Sequence, residues 1–192
     1  MENKIYNNYL YVITHCESCY NRLGIFTGRV DSILTKGGHE HAKILAKKLK
    51  NKKIDIAYVS PLTRTKQTLK YILEYHPETK VVVEKRIIER DYGELSRKSK
   101  KKYEKENPKL YPIYHRSYDI CPPKGESIKQ VETRVIPFIK EAVEKIKRKK
   151  INILVVAHGN SIRPIRRYFE GLSKEEAMNQ DNHDDKIFTY KI

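Results

Sequence analysis

The chain has 192 residues, 39% of them hydrophobic and 33% charged, with a formal net charge of +16; that suits one domain with its own core over residues 1–192 and argues against two. No apolar run approaches the roughly 18 to 20 residues that span a bilayer, and the opening MENKIYNNYL lacks the apolar stretch of a secretory signal, so no membrane association and a cytoplasmic location are expected. Cys16, Cys19 and Cys121 are an odd set without a second metal-type cluster, which argues against a disulfide framework and against a metal site.

In chain order, the apolar run YLYVI (Tyr9 to Ile13) predicts a first strand, ended by Thr14-His15-Cys16 and a polar loop. In KGGHEHAKILAKKLKNK, Ala42, Leu45, Ala46 and Leu49 recur at the spacing of an amphipathic helix. IAYV (Ile56 to Val59) predicts a second strand, and Arg64 to about Glu74 a helix with Thr65, Leu69, Ile72 and Leu73 on one side. A third strand falls at Val81 to Val83. Residues 91–125 differ: Pro108, Pro112, Pro122 and Pro123 among several tyrosines predict a crossover of short helical pieces. Long segments of this kind tend to cover active sites, and this one is read as a cap. SIKQVETRVIPFIKEAVEKIKRK predicts a long helix carrying Val131, Val135, Phe138, Ile139, Ala142 and Ile146 on one face. Its Pro137 has no N–H for the preceding turn and is expected to kink the helix or begin a new one. Ile151 to Ala157 and Ile187 to Ile192 complete the strands. Strands alternating with helices predict an α/β fold, a three-layer sandwich around a mixed, mostly parallel sheet.

The positive charge suits anionic partners. The basic runs RKSKKKYEK and KIKRKKI come without any zinc-finger or aromatic RNA-binding signature, so they are read as solvated faces that steer small phosphorylated metabolites, with no sequence-specific nucleic acid. Two strands end alike, YVIT before His15 and LVVA before His158. Ligands bind at the carboxyl edge of a parallel sheet. Neighbouring strands lie about 4.8 Å apart, so the two imidazoles would share one pocket, one as nucleophile and the other steadying the group attacked. SPLTRTKQT places Arg64 at the start of a helix, a position the helix dipole disfavours for a cation unless an anion binds there. Glu89, in IIERDYGEL, is a candidate general acid at the pocket wall, or else an ordinary salt-bridge partner of Arg90.

Taken together, HCESCYNRLGIFTGRVDSILTKGG, SPLTRTKQT, IERDYGEL, HRSYDICPP, GES and VVAHGNSIRPIRRYFEGLS run in an order that resembles the cofactor-dependent phosphoglycerate mutases of the histidine phosphatase superfamily. The resemblance implies that His15 is the phosphorylated nucleophile, that Arg64 and His158 hold the transferring phosphoryl group, and that Glu89 gives and takes the substrate proton. It implies a binding set of Asn21, Thr27, Gly28, Arg90, Tyr92, Lys100, His115, Arg116, Gly159 and Asn160. It further implies interconversion of 2- and 3-phosphoglycerate with 2,3-bisphosphoglycerate as the priming phosphoryl donor, no metal, and a homodimer as one possible assembly. A phosphatase of small phosphate esters, or a non-catalytic member binding phosphorylated ligands or protein, remains as the alternative.

The chain departs from that family's pattern in several places. Thr14-His15-Cys16 stands where the family has Arg-His-Gly, which removes a cation from the phosphoryl site and puts a Cβ where backbone would approach phosphate or adopt positive φ. Arg163 and Lys100 are then the first candidates to replace the missing charge. His115 replaces the first of two arginines, so its charge is expected to follow pH. Asp91 adds a carboxylate beside the pocket. The segment between Pro123 and Gly125 lacks the long insertion of many mutases, and the chain ends without their closing tail, which would admit water.

Overall fold

The computed structural model describes residues 8–180 and 186–192. The opening residues read above as lacking a secretory signal lie, through residue 7, outside the described residues. The elements run β1 (Tyr9–Thr14), α1 (Cys19–Arg22), α2 (Lys36–Leu49), β2 (Ile56–Val59), α3 (Thr63–Leu73), β3 (Lys80–Val83), α4 (Lys100–Glu106), α5 (Leu110–Arg116), α6 (Ile128–Lys149), β4 (Ile153–Ala157), α7 (Gly159–Glu170), α8 (Lys174–Asn179) and β5 (Phe188–Lys191).

The strands form one sheet in the order β3-β2-β4-β1-β5. β1 pairs in parallel with β4, β4 with β2 and β2 with β3, while β5 runs antiparallel along β1. The chain moves from β1 to β2 and on to β3 in one direction, then reverses through α6 to place β4 between β2 and β1. Right-handed crossovers make such a reversal change the face on which the helices lie. Alternating strand residues accordingly feed two cores. Leu10, Val12, Ile153, Val155 and Ala157 pack with α6 and α7. Tyr11, Ile13, Leu154 and Val156 pack with Ala42, Leu45, Ala46 and Leu49 of α2 and with Leu69 and Ile72 of α3. The result is the expected three-layer sandwich.

α6 begins with a capping box of Ser127 and Gln130 and runs unbroken through Pro137, so no new helix starts there. Val131 and Val135 before the proline, and Phe138, Ile139, Ala142 and Ile146 after it, all belong to the same core, and their shared burial outweighs one missing hydrogen bond. β4 starts two residues later than expected because Asn152 is committed elsewhere: its carbonyl accepts from Asp55 N–H and its Oδ1 from Tyr9 N–H at 2.8 Å. Among the described residues no helix is long and apolar enough to cross a membrane.

Candidate active site

β1 and β4 end in register, Thr14 opposite Ala157, and His15 N–H donates to Ala157 O at 3.1 Å. That pairing sets His15 beside His158, with ring centroids 5.0 Å apart and planes inclined by 63°. His15 Nδ1 lies 2.7 Å from Cys16 O. A carbonyl only accepts, so Nδ1 carries the hydrogen and Nε2 presents its lone pair. Arg64 agrees, donating Nε–H to that Nε2 at 3.1 Å. Burial and the neighbouring Arg64 push the His15 pKa down to about 3, against the opposing pull of the Cys16 hydrogen bond. A neutral imidazole that presents an Nε2 lone pair is the nucleophilic form, and here Arg64 occupies that lone pair until a ligand takes its place.

Arg64 emerges from the first turn of α3 and is 1% exposed. Its Nη1 donates to Val30 O at 3.0 Å and its Nη2 to Gly28 O at 2.9 Å, so the loop after α1 anchors the guanidinium from behind. Gly28 is the one glycine this arrangement demands: its φ is +51, and a Cβ would sit 3.1 Å from both Arg90 O and Tyr92 N. Thr27, beside it, is buried and donates to Ile25 O at 3.3 Å.

His158 is fully buried, and its Nε2 is 2.7 Å from Ser60 Oγ at the end of β2. Burial first, then Arg64 and His15, push its pKa well below the ordinary value. Ser60 was within reach of sequence reasoning, since the quoted SPLTRTKQT begins with it, but only the sheet order places it under a histidine 98 residues away. Gly159, next in line, opens α7, and a Cβ there would meet nothing within 4 Å.

Glu89 makes no ion pair with Arg90; its Oε1 accepts from the Arg90 backbone N–H at 2.7 Å. It lies within electrostatic range of Arg64, Tyr92, Lys100 and Arg163. Arg90 is itself fully buried, its Nε donates to Glu126 O at 2.6 Å, its guanidinium stands 5.1 Å from the Tyr92 ring centre, and its Nη1 has no partner. Asn160 Nδ2 donates to Tyr92 Oη at 3.4 Å. Asn21 is less available than expected: it is exposed, and its Oδ1 accepts from Ser18 in the capping box of α1, leaving Nδ2 to reach a ligand.

Residues 91–125 contain the expected short helices, α4 and α5, clipped to the loop after β1 by Arg97 N–H to Phe26 O and Lys100 N–H to Gly24 O. Phe26, Tyr92 and Leu95 form their own small core, with Tyr103, Tyr111 and Tyr114 against it. Lys100 sits 5.9 Å from the Phe26 ring centre, and burial followed by Arg116 lowers its pKa. His115 packs on Phe26 and Tyr111, at 5.8 and 5.1 Å between centroids. Burial and four cations, Arg116, Lys100, Arg90 and Arg163, push its pKa down to about 3. The expectation that its charge follows pH therefore fails near neutrality, where it stays uncharged.

Three further expectations change. Cys16 is not among the described residues with positive φ, and it is fully buried in the core with Ile13 and Leu34, so a Cβ fits there. Asp91 is committed to local structure: its Oδ1 accepts from Gly93 N–H at 2.8 Å and its Oδ2 pairs with Arg29 at 3.6 Å. Arg163 is only partly available as a replacement cation: its Nη1 donates to the carbonyls of Ala177, Met178 and Gln180 at 2.6, 2.7 and 2.9 Å, tying down the end of α8, while its Nε is buried without a partner among the described residues.

The profile of the histidine phosphatase superfamily (branch 1) matches residues 10–191. The chain is 35% identical over 179 residues to the phosphoglycerate mutase of Schizosaccharomyces pombe, covering 91% of this chain and 85% of that protein. It is 35% identical over 188 residues to the 2,3-bisphosphoglycerate-dependent phosphoglycerate mutase of Brucella melitensis, covering 95% and 91%. Among solved structures, a mycobacterial glucosyl-3-phosphoglycerate phosphatase superposes with a TM-score of 0.82 at 20% identity over 95% of this chain and 89% of that one. The alpha-ribazole phosphatase of Shigella flexneri gives 0.75 at 25% identity over 88% and 83%. With both strand-end histidines opening on one basic site and the profile matched from the first strand to the last, the chain belongs to the histidine phosphatase superfamily and is a distant relation of the phosphoglycerate mutases.

Proposed function

We propose that the protein is a phosphatase acting, through a phosphohistidine at His15, on small phosphate monoesters that carry a second negative charge. The observation that carries the choice of hydrolysis is the likeness of the whole fold to solved phosphatases, and the tight turn at residues 122–125 agrees with it, although mutase relatives of similar length exist. Gly125 N–H donates to Pro122 O at 2.9 Å and Glu94 N–H to Pro123 O at 3.0 Å, and a Cβ on Gly93 would lie 2.1 Å from Pro123 O. The chain is packed back on itself where many mutases carry an insertion, leaving α4 and α5 as the outer wall. Water exclusion protects a phosphohistidine for transfer back to product, and a shorter wall favours its hydrolysis.

In this reading, His15 Nε2 attacks phosphorus while the ester P–O bond breaks. In this role Glu89 gives a proton to the leaving oxygen and afterwards takes one from the water that cleaves the P–N bond. Arg64 and His158 carry the charge spread over the equatorial oxygens. Arg90, Lys100 and Arg116 hold the second anionic group.

The two mutase relatives favour a second reading, interconversion of 2- and 3-phosphoglycerate. The buried, partnerless Arg90 Nη1, with Lys100 and Arg116 nearby, fits the polyanion 2,3-bisphosphoglycerate, which would supply the priming phosphoryl group. Phosphate release from 3-phosphoglycerate, 2,3-bisphosphoglycerate and sugar phosphates, run beside a coupled assay for interconversion with and without 2,3-bisphosphoglycerate, separates the readings. Release that outpaces interconversion is expected; interconversion dependent on 2,3-bisphosphoglycerate with little release would give the mutase reading instead.

A further inference from the structure

Ser60 is fully buried at the end of β2, and its backbone N–H is taken by Val156 O at 3.1 Å and its carbonyl by the Thr65 hydroxyl at 2.9 Å. Its Oγ has His158 Nε2 as hydrogen-bond partner at 2.7 Å. On the other side of the same ring, His158 Nδ1 is buried and has no partner. Two arrangements satisfy the short contact. If Nε2 carries the hydrogen and donates to Ser60 Oγ, then Nδ1 is a bare lone pair buried beside a site built for anions, and the serine hydrogen has no other acceptor among the described residues. If the Ser60 hydroxyl donates to Nε2, then Nδ1 carries the hydrogen, and one unmet donor is buried in an anion site. A buried donor without a partner is unfavourable, and a phosphoryl oxygen would relieve it.

We infer that Ser60 is a positioning residue: by donating to His158 Nε2 it holds the ring in the Nδ1–H tautomer, so that a neutral His158 gives a hydrogen bond to a phosphoryl oxygen on His15. The inference rests on the proposed phosphoryl site, and the missing first-motif arginine gives it weight. With Thr14 in that place, a neutral imidazole is a useful ligand for an anion only if its hydrogen faces the anion, and one hydroxyl decides which nitrogen bears it. His15 shows the complementary arrangement, where Cys16 O selects Nδ1–H and frees Nε2 as the nucleophile. One pocket thus holds two neutral imidazoles of the same tautomer facing their work with different nitrogens.

The test is a nitrogen-15 correlation spectrum of protein labelled in its histidines, assigned by comparison with His158→Gln. His158 in the wild type is expected to show Nδ1 protonated and Nε2 unprotonated; the opposite tautomer overturns the inference. In Ser60→Ala the His158 signals are expected to shift towards the other tautomer or a mixture, and competitive inhibition by vanadate to weaken about tenfold, with Ser60→Thr restoring both. An alanine variant with unchanged tautomer and unchanged vanadate affinity also overturns it. These readouts need no turnover, so a wild type that forms no phosphohistidine would sink the phosphatase reading while the tautomer result stands by itself.

Discussion

At the sheet edge, His15, Arg64 and His158 are each held by a bond to backbone or to a buried hydroxyl, and two of the three are essentially unexposed. In the wall from Asp91 to Gly125, Lys100 and His115 rest on aromatic rings, and Arg116 is exposed at the end of α5. The edge is part of the two main cores, whereas the wall has only the small core around Phe26. On the proposed reaction, the difference separates two jobs. Transition-state charge must be met by groups already in place, since reorganisation at that moment costs rate. A leaving group need only be bound, and a wall clipped on by a few backbone hydrogen bonds can change without disturbing the chemistry.

The sharpest way to break this contrast is at the edge. His15→Ala should lower turnover by at least about 10⁴-fold, in the range expected when a nucleophile is removed, and should abolish acid-labile labelling from a phosphorus-32 ester; a labelled alanine variant would place the nucleophile elsewhere. Arg64→Met comes next. It should cost about 10²- to 10³-fold in kcat and, by leaving Gly28 O and Val30 O without their donor, roughly 2 to 4 kcal/mol in a urea titration. In the wall, Arg116→Met should instead raise KM with less than about a tenfold fall in kcat and leave the urea midpoint unchanged, because the interaction removed is one of binding.

Thr14→Arg probes the gap in the first motif. Restoring a cation there should raise kcat about tenfold or more. The companion change Cys16→Gly, attractive from the sequence, should now cost roughly 1 to 3 kcal/mol of stability and give no further rate, since Cys16 fills core space in an ordinary backbone conformation. A double variant that outpaces Thr14→Arg by an order of magnitude would show that the Cβ does obstruct the phosphate.

The smallest effect is one of pH. His15 and His115 both have folded pKa values pushed down to about 3, below the roughly 6.5 of a free imidazole. The unfolded chain therefore takes up protons first on acidification, so the stability linked to these groups is fully present above about pH 6.5 and is lost progressively towards about pH 3. His115→Gln should show a shallower loss of urea midpoint between pH 7 and pH 4.5 than the wild type, with KM at pH 7 changed less than about threefold. Equal slopes would mean that His115 is not held neutral by its four cationic neighbours.

Much of the framework was legible in the sequence because it rests on local periodicity. The five apolar runs became the five strands within two residues at either end, and Ala42, Leu45, Ala46 and Leu49 all turned inward. The pairing of His15 with His158 was foreshadowed by two strands ending alike. The segment 91–125 was recognisable from its prolines as short helical pieces, although not which aromatic they would gather on. α7 and α8 are hard to see in the sequence, because Pro164 interrupts the donor pattern of the first and the second is only 6 residues long.

By itself, the sequence determined the layers, the strand-end histidines and the supply of cations, because these depend on residue types at short spacing. Tertiary structure decided which of those groups are free to act. Arg163 looked like a spare cation in the chain, yet three carbonyls from residues 14 to 17 positions later claim one of its nitrogens. Asp91 looked like a pocket carboxylate and closes a turn instead. Ser60 looked like a loop residue and lies under His158 because β2 neighbours β4 in the sheet. Hydrogen-bond partners and burial set protonation and direction, and both are properties of neighbours that only a folded chain brings within 3 Å of one another.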